Sequence, residues 1–357
     1  MFKFRTIKGL MTTDNIGSVW TYALNLAKEL RKHNFEITLA ITGEKLTEAQ
    51  ILELEDINWY FQPFKQEWME NPWEDIKKCG EWLMEILEEV NPDFIHLNSC
   101  SLGSLNWKRP VVVTLHSCVV SWWEAVKKEK IPREWFRYKG NVENGIRSAD
   151  MVVTPSRTMM NYAEKNYGKL PNKKVIYNGG CRQNYQTDIK EKYIFSMGRI
   201  WDEAKNIDEI VKAAPLIPYN IYIAGNNQGY NTADLPANVR FIGYLSPTEI
   251  INWLSSASVY LLPVKYEPFG YTFLEAAFSG CALVTGDIDS MREIWDDAAI
   301  YTDTSDPLKL AEQVNALMYD DDLRAGMAEK ARKRAETNYT LEKMAEEYVA
   351  LYRQIKN

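Results

Sequence analysis

Cysteine is scarce in this chain. The five present (Cys79, Cys100, Cys118, Cys181 and Cys281) are an odd number, widely scattered and without a C-x-x-C pair. Neither a disulfide framework nor a structural zinc site is indicated, and free, buried or half-buried thiols are the expectation. No run approaches the ~18 consecutive apolar residues of a membrane span. Lys3, Arg5 and Lys8 interrupt the segment where a signal peptide would need an apolar core, so the expectation is a cytoplasmic protein. An excess of basic residues is missing too: 42 Lys and Arg against 49 Asp and Glu leave a net charge of -7. Broad nucleic-acid binding is thereby excluded, because neutralising phosphates requires Lys and Arg in excess on one face. A local basic site for a small phosphorylated ligand is still compatible with this balance. No G-x-G-x-x-G follows a predicted strand, which counts against a dinucleotide-dependent dehydrogenase. There is no short internal repeat and no low-complexity tract.

What the chain does have is length, aromatic rings and alternation. Its 357 residues exceed the size at which one core stops growing, so two domains are expected. Twelve Trp and 20 Tyr are many, and such rings line carbohydrate sites and interfaces as well as cores. Short apolar runs such as "FEITLAITG", "PDFIHLN", "PVVVTLH", "KYIFSMG", "SVYLLPV" and "CALVTG" alternate with segments of 3.6-residue periodicity such as "VWTYALNLAKELRKH". This alternation predicts two doubly wound α/β domains, each a parallel sheet wrapped by helices. A polar stretch after Asn178, Gly179 and Gly180 has linker composition, and the boundary is drawn between 185 and 186. The final ~35 residues read as helix with a break at Thr340.

Four constellations stand at predicted strand ends. In "TTDNIGSVWTYALNLAKEL" a strand ending near Met11 leads through Gly17 into a helix, which would aim free amides and the positive end of a helix dipole at an anion; a turn glycine is also required on steric grounds alone. In "SMGRIWDEAKN" a strand ends at Gly198, and Arg199 and Lys205 offer a planar multi-donor cation and a mobile one, a pair suited to a diphosphate; Asp202 and Glu203 lie between them. In "YEPFGYTFLEAAFSGCALVTG" the Pro268–Gly270 turn precedes a helix starting near Tyr271. Phe269, Gly270, Tyr271 and Thr272 would then present amide donors at its N-terminus, with Glu267 before the turn and Glu275 one turn inside. Carboxylates accept hydroxyl donors and repel phosphate, so this company suggests a ligand carrying both phosphates and vicinal diols, as a nucleotide sugar does. His116 ends the strand "PVVVTLH" and is placed for a cleft, whereas His96 lies inside a strand and His33 near a helix end.

Together these segments resemble the family-four retaining glycosyltransferases of the GT-B fold, over nearly the whole chain. The resemblance implies two Rossmann-like domains facing across a cleft: 1–185 on the acceptor side, joined by the C-terminal helix 341–357, and 186–340 binding the donor. It implies that Arg199 and Lys205 hold the donor diphosphate with help from the Tyr271 and Thr272 amides. Glu275 would accept the ribose hydroxyls, while Glu267 and the Phe269 and Gly270 amides hold the transferred sugar. Gly198 would border the donor, Gly243 and Tyr244 the nucleobase; Gly17 would approach the diphosphate or acceptor, and His116 the sugar near its 6-hydroxyl. The chain departs from the family pattern in having Gly17-Ser18 where relatives have two glycines, and an Arg-to-Lys spacing one residue longer than the common one.

The implied reaction moves a sugar from a UDP- or GDP-sugar to a hydroxyl acceptor (a glycan, a lipid-linked sugar or a small molecule) with retention, and with no metal or cofactor. The alternatives are a sugar-nucleotide epimerase of the same fold and an inactive sugar-nucleotide- or glycan-binding module. Asp287-Ile-Asp289 and the run Asp320–Asp322 match acidic metal-binding patterns only as short acidic stretches do by chance. The stretch from Ser121 to Gly140 mixes Trp122, Trp123 and Trp135 with Lys and Arg, and reads as an acceptor wall, a peripheral contact with the inner face of a membrane, or a solvated amphipathic pair.

Overall fold

A computed structural model describes residues 5–226, 230 and 234–356. The chain divides into two compact units, one formed by Met1–Glu124, Lys128–Gly179 and Leu341–Asn357, the other by Ala125–Lys127 and Gly180–Thr340.

In the first unit the order is β1 (Ile7–Asp14), α1 (Ser18–Arg31), β2 (Phe35–Thr42), α2 (Glu48–Glu53), β3 (Asn58–Gln62), α3 (Trp73–Val90), β4 (Phe94–Leu97), β5 (Val111–Thr114), α4 (Val119–Lys127), α5 (Phe136–Ser148), β6 (Met151–Thr154), α6 (Arg157–Tyr167) and β7 (Lys173–Val175). The second continues with β8 (Glu191–Met197), α7 (Ile207–Ala213), β9 (Asn220–Ala224), β10 (Val239–Gly243), α8 (Pro247–Ser256), β11 (Ala257–Leu262), α9 (Tyr271–Phe278), β12 (Ala282–Gly286), α10 (Asp289–Trp295), β13 (Ile300–Thr302), α11 (Pro307–Tyr319) and α12 (Asp321–Asn338). The last helix, α13 (Leu341–Lys356), returns to the first unit.

The sheets run β3-β2-β1-β4-β5-β6-β7 and β10-β9-β8-β11-β12-β13. Every named pair is parallel, so all strands of one sheet end on the same edge. In each sheet the order reverses once, at β1/β4 and at β8/β11. With right-handed crossovers, reversal sends helices to both faces and opens a crevice outside the carboxyl ends of the two central strands. Strands covered on both faces show no polar alternation, and β5 (VVVT) is accordingly buried throughout.

Local signals fix the helix starts. Ser246 and Glu249 form a reciprocal capping box with Pro247 at the first helical position of α8, and Ser156 accepts the Met159 amide to start α6. Helix α13 packs on α1, and its tyrosines enter the core: Tyr22 Oη donates to Tyr348 Oη (2.5 Å), and His96 Nδ1 meets Tyr352 Oη (2.6 Å). One strand boundary differs from expectation. β1 runs on past Met11 to Asp14, because Thr12, Thr13 and Asp14 stay in register with Ala40, Ile41 and Thr42 and the two threonines are buried. β-Branched threonines suit a buried strand end as well as a loop.

Candidate functional site

In the second unit the loops after β8 and β11 are stitched together at the switch point. Asp202 accepts the Ala204 amide (3.0 Å) and caps the single 3-10 turn Glu203–Lys205. The next residue, Asn206, donates through Nδ2 to the carbonyls of Pro263 (3.0 Å) and Thr304 (2.8 Å), and the Lys265 amide donates to the Ala204 carbonyl (2.8 Å). These bonds hold the loops so that Lys205 Nζ lies 2.7 Å from Glu267 Oε2, with each side chain 14% exposed. The backbone of Glu267 is fixed by Ser290 Oγ, which donates to its carbonyl (2.5 Å), and the Phe269 amide points at Glu267 Oε1 (3.4 Å). Gly270 then turns the chain with φ +88°, and a Cβ there would lie 2.8 Å from the Phe273 ring, so glycine is required. Helix α9 starts directly after it with Tyr271 and Thr272, while the Phe269 ring is buried edge-on against Tyr271 and Tyr339.

Arg199 is half exposed, at 49%; it pairs with the buried Asp202 (2.8 Å) and lies over the Trp201 ring (5.6 Å). Both cations of the constellation therefore already face a carboxylate, and the surplus positive field for an anion is small. Glu275, one turn into α9, accepts a hydrogen bond from Tyr185 Oη (3.0 Å). Burial pushes its carboxyl up to about 7, an effect that the Tyr185 bond partly opposes. Gly198 and Gly243 end neighbouring paths on the same edge as Gly225, whose Cβ position falls 2.0 Å from the Gly198 carbonyl; the Gly225 amide donates to the Gly243 carbonyl (2.8 Å). Tyr244 projects outward, 86% exposed. Within the acidic patterns, Asp287 makes a two-point contact with Arg292 (2.7 Å each), Asp320 caps α12, and Asp321 pairs with Arg324 and Lys192. Among the described residues no group of three His, Cys, Asp or Glu is arranged to hold a metal ion.

In the first unit, β1 ends at Asp14, whose carboxylate accepts the Ile16 amide (2.9 Å), and Gly17 (φ +81°) starts α1. His116 follows β5, and its Nε2 lies 2.8 Å from Asn98 Oδ1 at the end of β4. Tyr22 of α1 meets the His116 ring edge-on at 4.6 Å. Burial lowers His116 to about 3, so it is neutral near pH 7. His96, inside β4, is fully buried and bonded to Tyr352 and to Thr114 Oγ1 (2.7 Å). Trp122, Trp123 and Trp135 are all half-buried, while Phe136 between basic residues is 58% exposed.

The structure thus brings Lys205 to Glu267, and Glu267 to the start of α9, but joins Arg199 to Asp202 and Glu275 to Tyr185. Gly17 and His116 share the first unit's sheet edge. Sequence reasoning missed Asn98, Tyr185 and Gly225. Asn98 and Gly225 each stand at the end of a predicted strand and were open to the strand-end argument; Tyr185, in the stretch read as a linker and placed in the second unit, carried no local signal.

Residues 19–179 match the family described as Glycosyltransferase Family 4, and residues 181–334 match Glycosyl transferases group 1. The O-antigen biosynthesis glycosyltransferase WclY of Escherichia coli is 26% identical over 225 residues, which is 57% of this chain and 61% of that relative's length. Sucrose-phosphate synthase from Thermosynechococcus elongatus superposes with a TM-score of 0.81 at 17% identity, covering 98% of this chain and 99% of that one. The Anabaena protein HepE, solved with UDP and glucose, does so with 0.79 at 16% identity, covering 98% and 100%. Two parallel Rossmann-like sheets are the GT-B fold of these neighbours, and with both halves matched the chain belongs to the family-four, group 1 glycosyltransferases.

Proposed function

We propose that this protein is a retaining, metal-independent glycosyltransferase that moves a sugar from a UDP- or GDP-sugar to the hydroxyl of a glycan, a lipid-linked sugar or a small molecule. The observation that carries the reading is the Lys205–Glu267 contact at the β8/β11 switch point, directly before the N-terminus of α9. A cation, a hydroxyl-accepting carboxylate and the amides of a helix start within one crevice match the three chemistries of a nucleotide sugar.

In this reading the donor diphosphate takes Lys205 and Arg199 from their carboxylate partners and adds the amides of Tyr271 and Thr272. Those donors stabilise charge that grows on the leaving diphosphate, and fixed donors in a dry site are worth most in the transition state. Glu267, freed from Lys205, accepts hydroxyls of the transferred sugar, and Glu275 accepts those of the ribose. Gly243 and Tyr244 border the base. The acceptor hydroxyl attacks on the face that the diphosphate leaves, which retains configuration without a protein nucleophile or a cofactor.

The solved HepE complex supports UDP as the first base to test, and WclY supports polysaccharide synthesis as the setting. The half-buried tryptophans and basic residues from Ser121 to Gly140 suit a lipid-linked acceptor at an anionic inner membrane face. The test begins with thermal shifts against UDP-, GDP- and ADP-sugars, since a saturating ligand raises the melting temperature. Transfer is then followed with and without added acceptor, and the anomeric configuration of the product is read by NMR. A product formed without acceptor would point to an epimerase. Glu275→Ala and Arg199→Ala should each cut transfer by orders of magnitude with the fold intact, and near-normal turnover in both would sink the proposal.

A further inference from the structure

We propose that the first unit carries a glycan-binding site of its own: a cleft at the amino edge of its sheet that holds a neutral oligosaccharide by the hydroxyls. Binding there is independent of the sugar-transfer reading, and only the use made of it rests on that reading.

The cleft has a volume of about 370 Å³ and is lined by the first residues of three neighbouring strands and the last of a helix. Lys8 and Glu36 are the second residues of β1 and β2 and stand opposite each other in register. Asn58 opens β3, Tyr60 follows two positions on and so shares its face, and Glu89 lies at the end of α3. Trp59, 39% exposed on this outermost strand, borders the same cleft. These are strand starts, whereas Asp14 and His116 stand at strand ends. Six residues of β1 separate Lys8 from Asp14, about 20 Å at the rise of a parallel strand.

The polar groups are oriented but not used up. Glu36 Oε1 accepts from Asn58 Nδ2 (3.0 Å), and Glu89 Oε1 accepts from the Tyr60 hydroxyl (2.6 Å). Each carboxylate is fixed through one oxygen, and its Oε2 has no partner among the described residues. The bond to Glu89 raises the Tyr60 hydroxyl above its usual range, so the phenol keeps its proton and its ring stays packed on the core. Lys8 and Glu36, although register partners, close no ion pair among the described residues, which leaves the ammonium and its three donors to a ligand.

This lining selects the ligand class. Two carboxylates against one ammonium repel phosphate, and a wall of charged and amide groups is a poor place for a lipid chain. The volume falls at the lower end of the roughly 300–1,000 Å³ of small-ligand sites. A ligand dense in hydroxyls and free of charge fits: the two Oε2 atoms accept from hydroxyls, Lys8 donates to hydroxyl or ring oxygens, and the Tyr60 ring packs on the C–H face of a sugar. Held here, a long acceptor is retained at a second point while its end is extended, and the second contact raises its affinity through effective concentration.

The test applies the full chain, without donor, to an array of neutral, uronate-bearing and phosphate-bearing oligosaccharides. Neutral glycans should be retained in preference to both charged classes, with a change of less than about two-fold between roughly 50 and 500 mM salt, because an uncharged ligand leaves nothing to screen. Hydrogen–deuterium exchange with a retained glycan should show protection at β3 and at the end of α3. Glu36→Gln and Glu89→Gln alter exposed side chains, so both should melt with the parent, and each should weaken retention roughly ten-fold as a charged hydrogen bond becomes a neutral one. Retention of no neutral glycan, retention undiminished in both variants, a steep salt dependence, or protection confined to the carboxyl edge overturns the proposal. Because binding is read without turnover, a chain that retains glycans at β3 but transfers no sugar counts against the transferase reading alone. One that transfers sugar but retains no glycan counts against this site alone.

Discussion

Replacing Glu275 by glutamine separates what a donor needs from what the fold tolerates. Burial raises the Glu275 carboxyl to about 7, against roughly 4.3 for a free glutamate. Below about pH 4.3 both folded and unfolded chains hold the proton, and the group does not affect stability. As pH rises the unfolded chain releases its proton first, so a penalty on folding grows until about pH 7 and is constant above it. The displacement corresponds to at most about 4 kcal/mol, of which at most about 2.5 kcal/mol falls between pH 5 and 8. Glutamine keeps an acceptor for Tyr185 Oη and carries no charge, but it brings an N–H donor whose burial costs about 1 kcal/mol. Glu275→Gln should therefore be no more stable than the parent at pH 5 and more stable at pH 8, a swing of roughly 5–10 °C in melting temperature for a unit of this size. Donor binding should run the other way. At pH 6 only about a tenth of Glu275 is ionised, so the parent's apparent affinity should weaken about ten-fold between pH 8 and pH 6, a dependence the variant lacks. Differential scanning fluorimetry from pH 5 to 8.5, with and without UDP- or GDP-sugar, measures both trends. A stability difference that stays flat over that range would refute the reasoning.

Removing Lys205 strands a mostly buried Glu267, so Lys205→Ala should cost about 1–3 kcal/mol in denaturant unfolding, and the double variant with Glu267→Ala should lose less than the sum of the singles. Additive losses would show that the pair is not coupled. Gly270→Ala forces a side chain into φ +88° and onto the Phe273 ring; a loss above about 1 kcal/mol together with weakened donor binding is expected, and unchanged stability would contradict the geometry. Burial holds His96 down at about 3, far below the unfolded value, so its contribution is intact above about pH 6.5 and is lost as pH falls toward 3. His96→Gln should flatten the acid limb of the stability curve, and an equally steep limb would point to another group.

How much of this was legible in the sequence differs between backbone and side chains. Alternating apolar runs gave two parallel sheets, since continuous Val, Ile and Leu stretches such as β5 occur where both faces are covered. Turn chemistry located the start of α9 at Tyr271, because Pro268 and Gly270 leave the chain few other paths. β1 was read three residues short because threonine is at home in both strand ends and loops, and only its register with Ala40–Thr42 decides between them. Pairings were the harder part. The 3.6 and 2.0 periods say which face a residue occupies, but not which loop tip it will meet. Nothing local announces that Lys205 reaches Glu267, 62 positions away, or that Tyr185 of the linker donates to Glu275. Yet the order reversal at β8/β11 makes the loops after those two strands converge wherever the sheet is doubly wound. A sequence reading that assigns strand order before ranking candidate residues would pair the residues after "KYIFSMG" with those after "SVYLLPV". The same step applied to β1, β4 and β5 brings Thr12, Asn98 and His116 to one edge. Asn98 was missed because residues were ranked by chemical type, and an amide ranks low until its neighbours show which of its two ends is free.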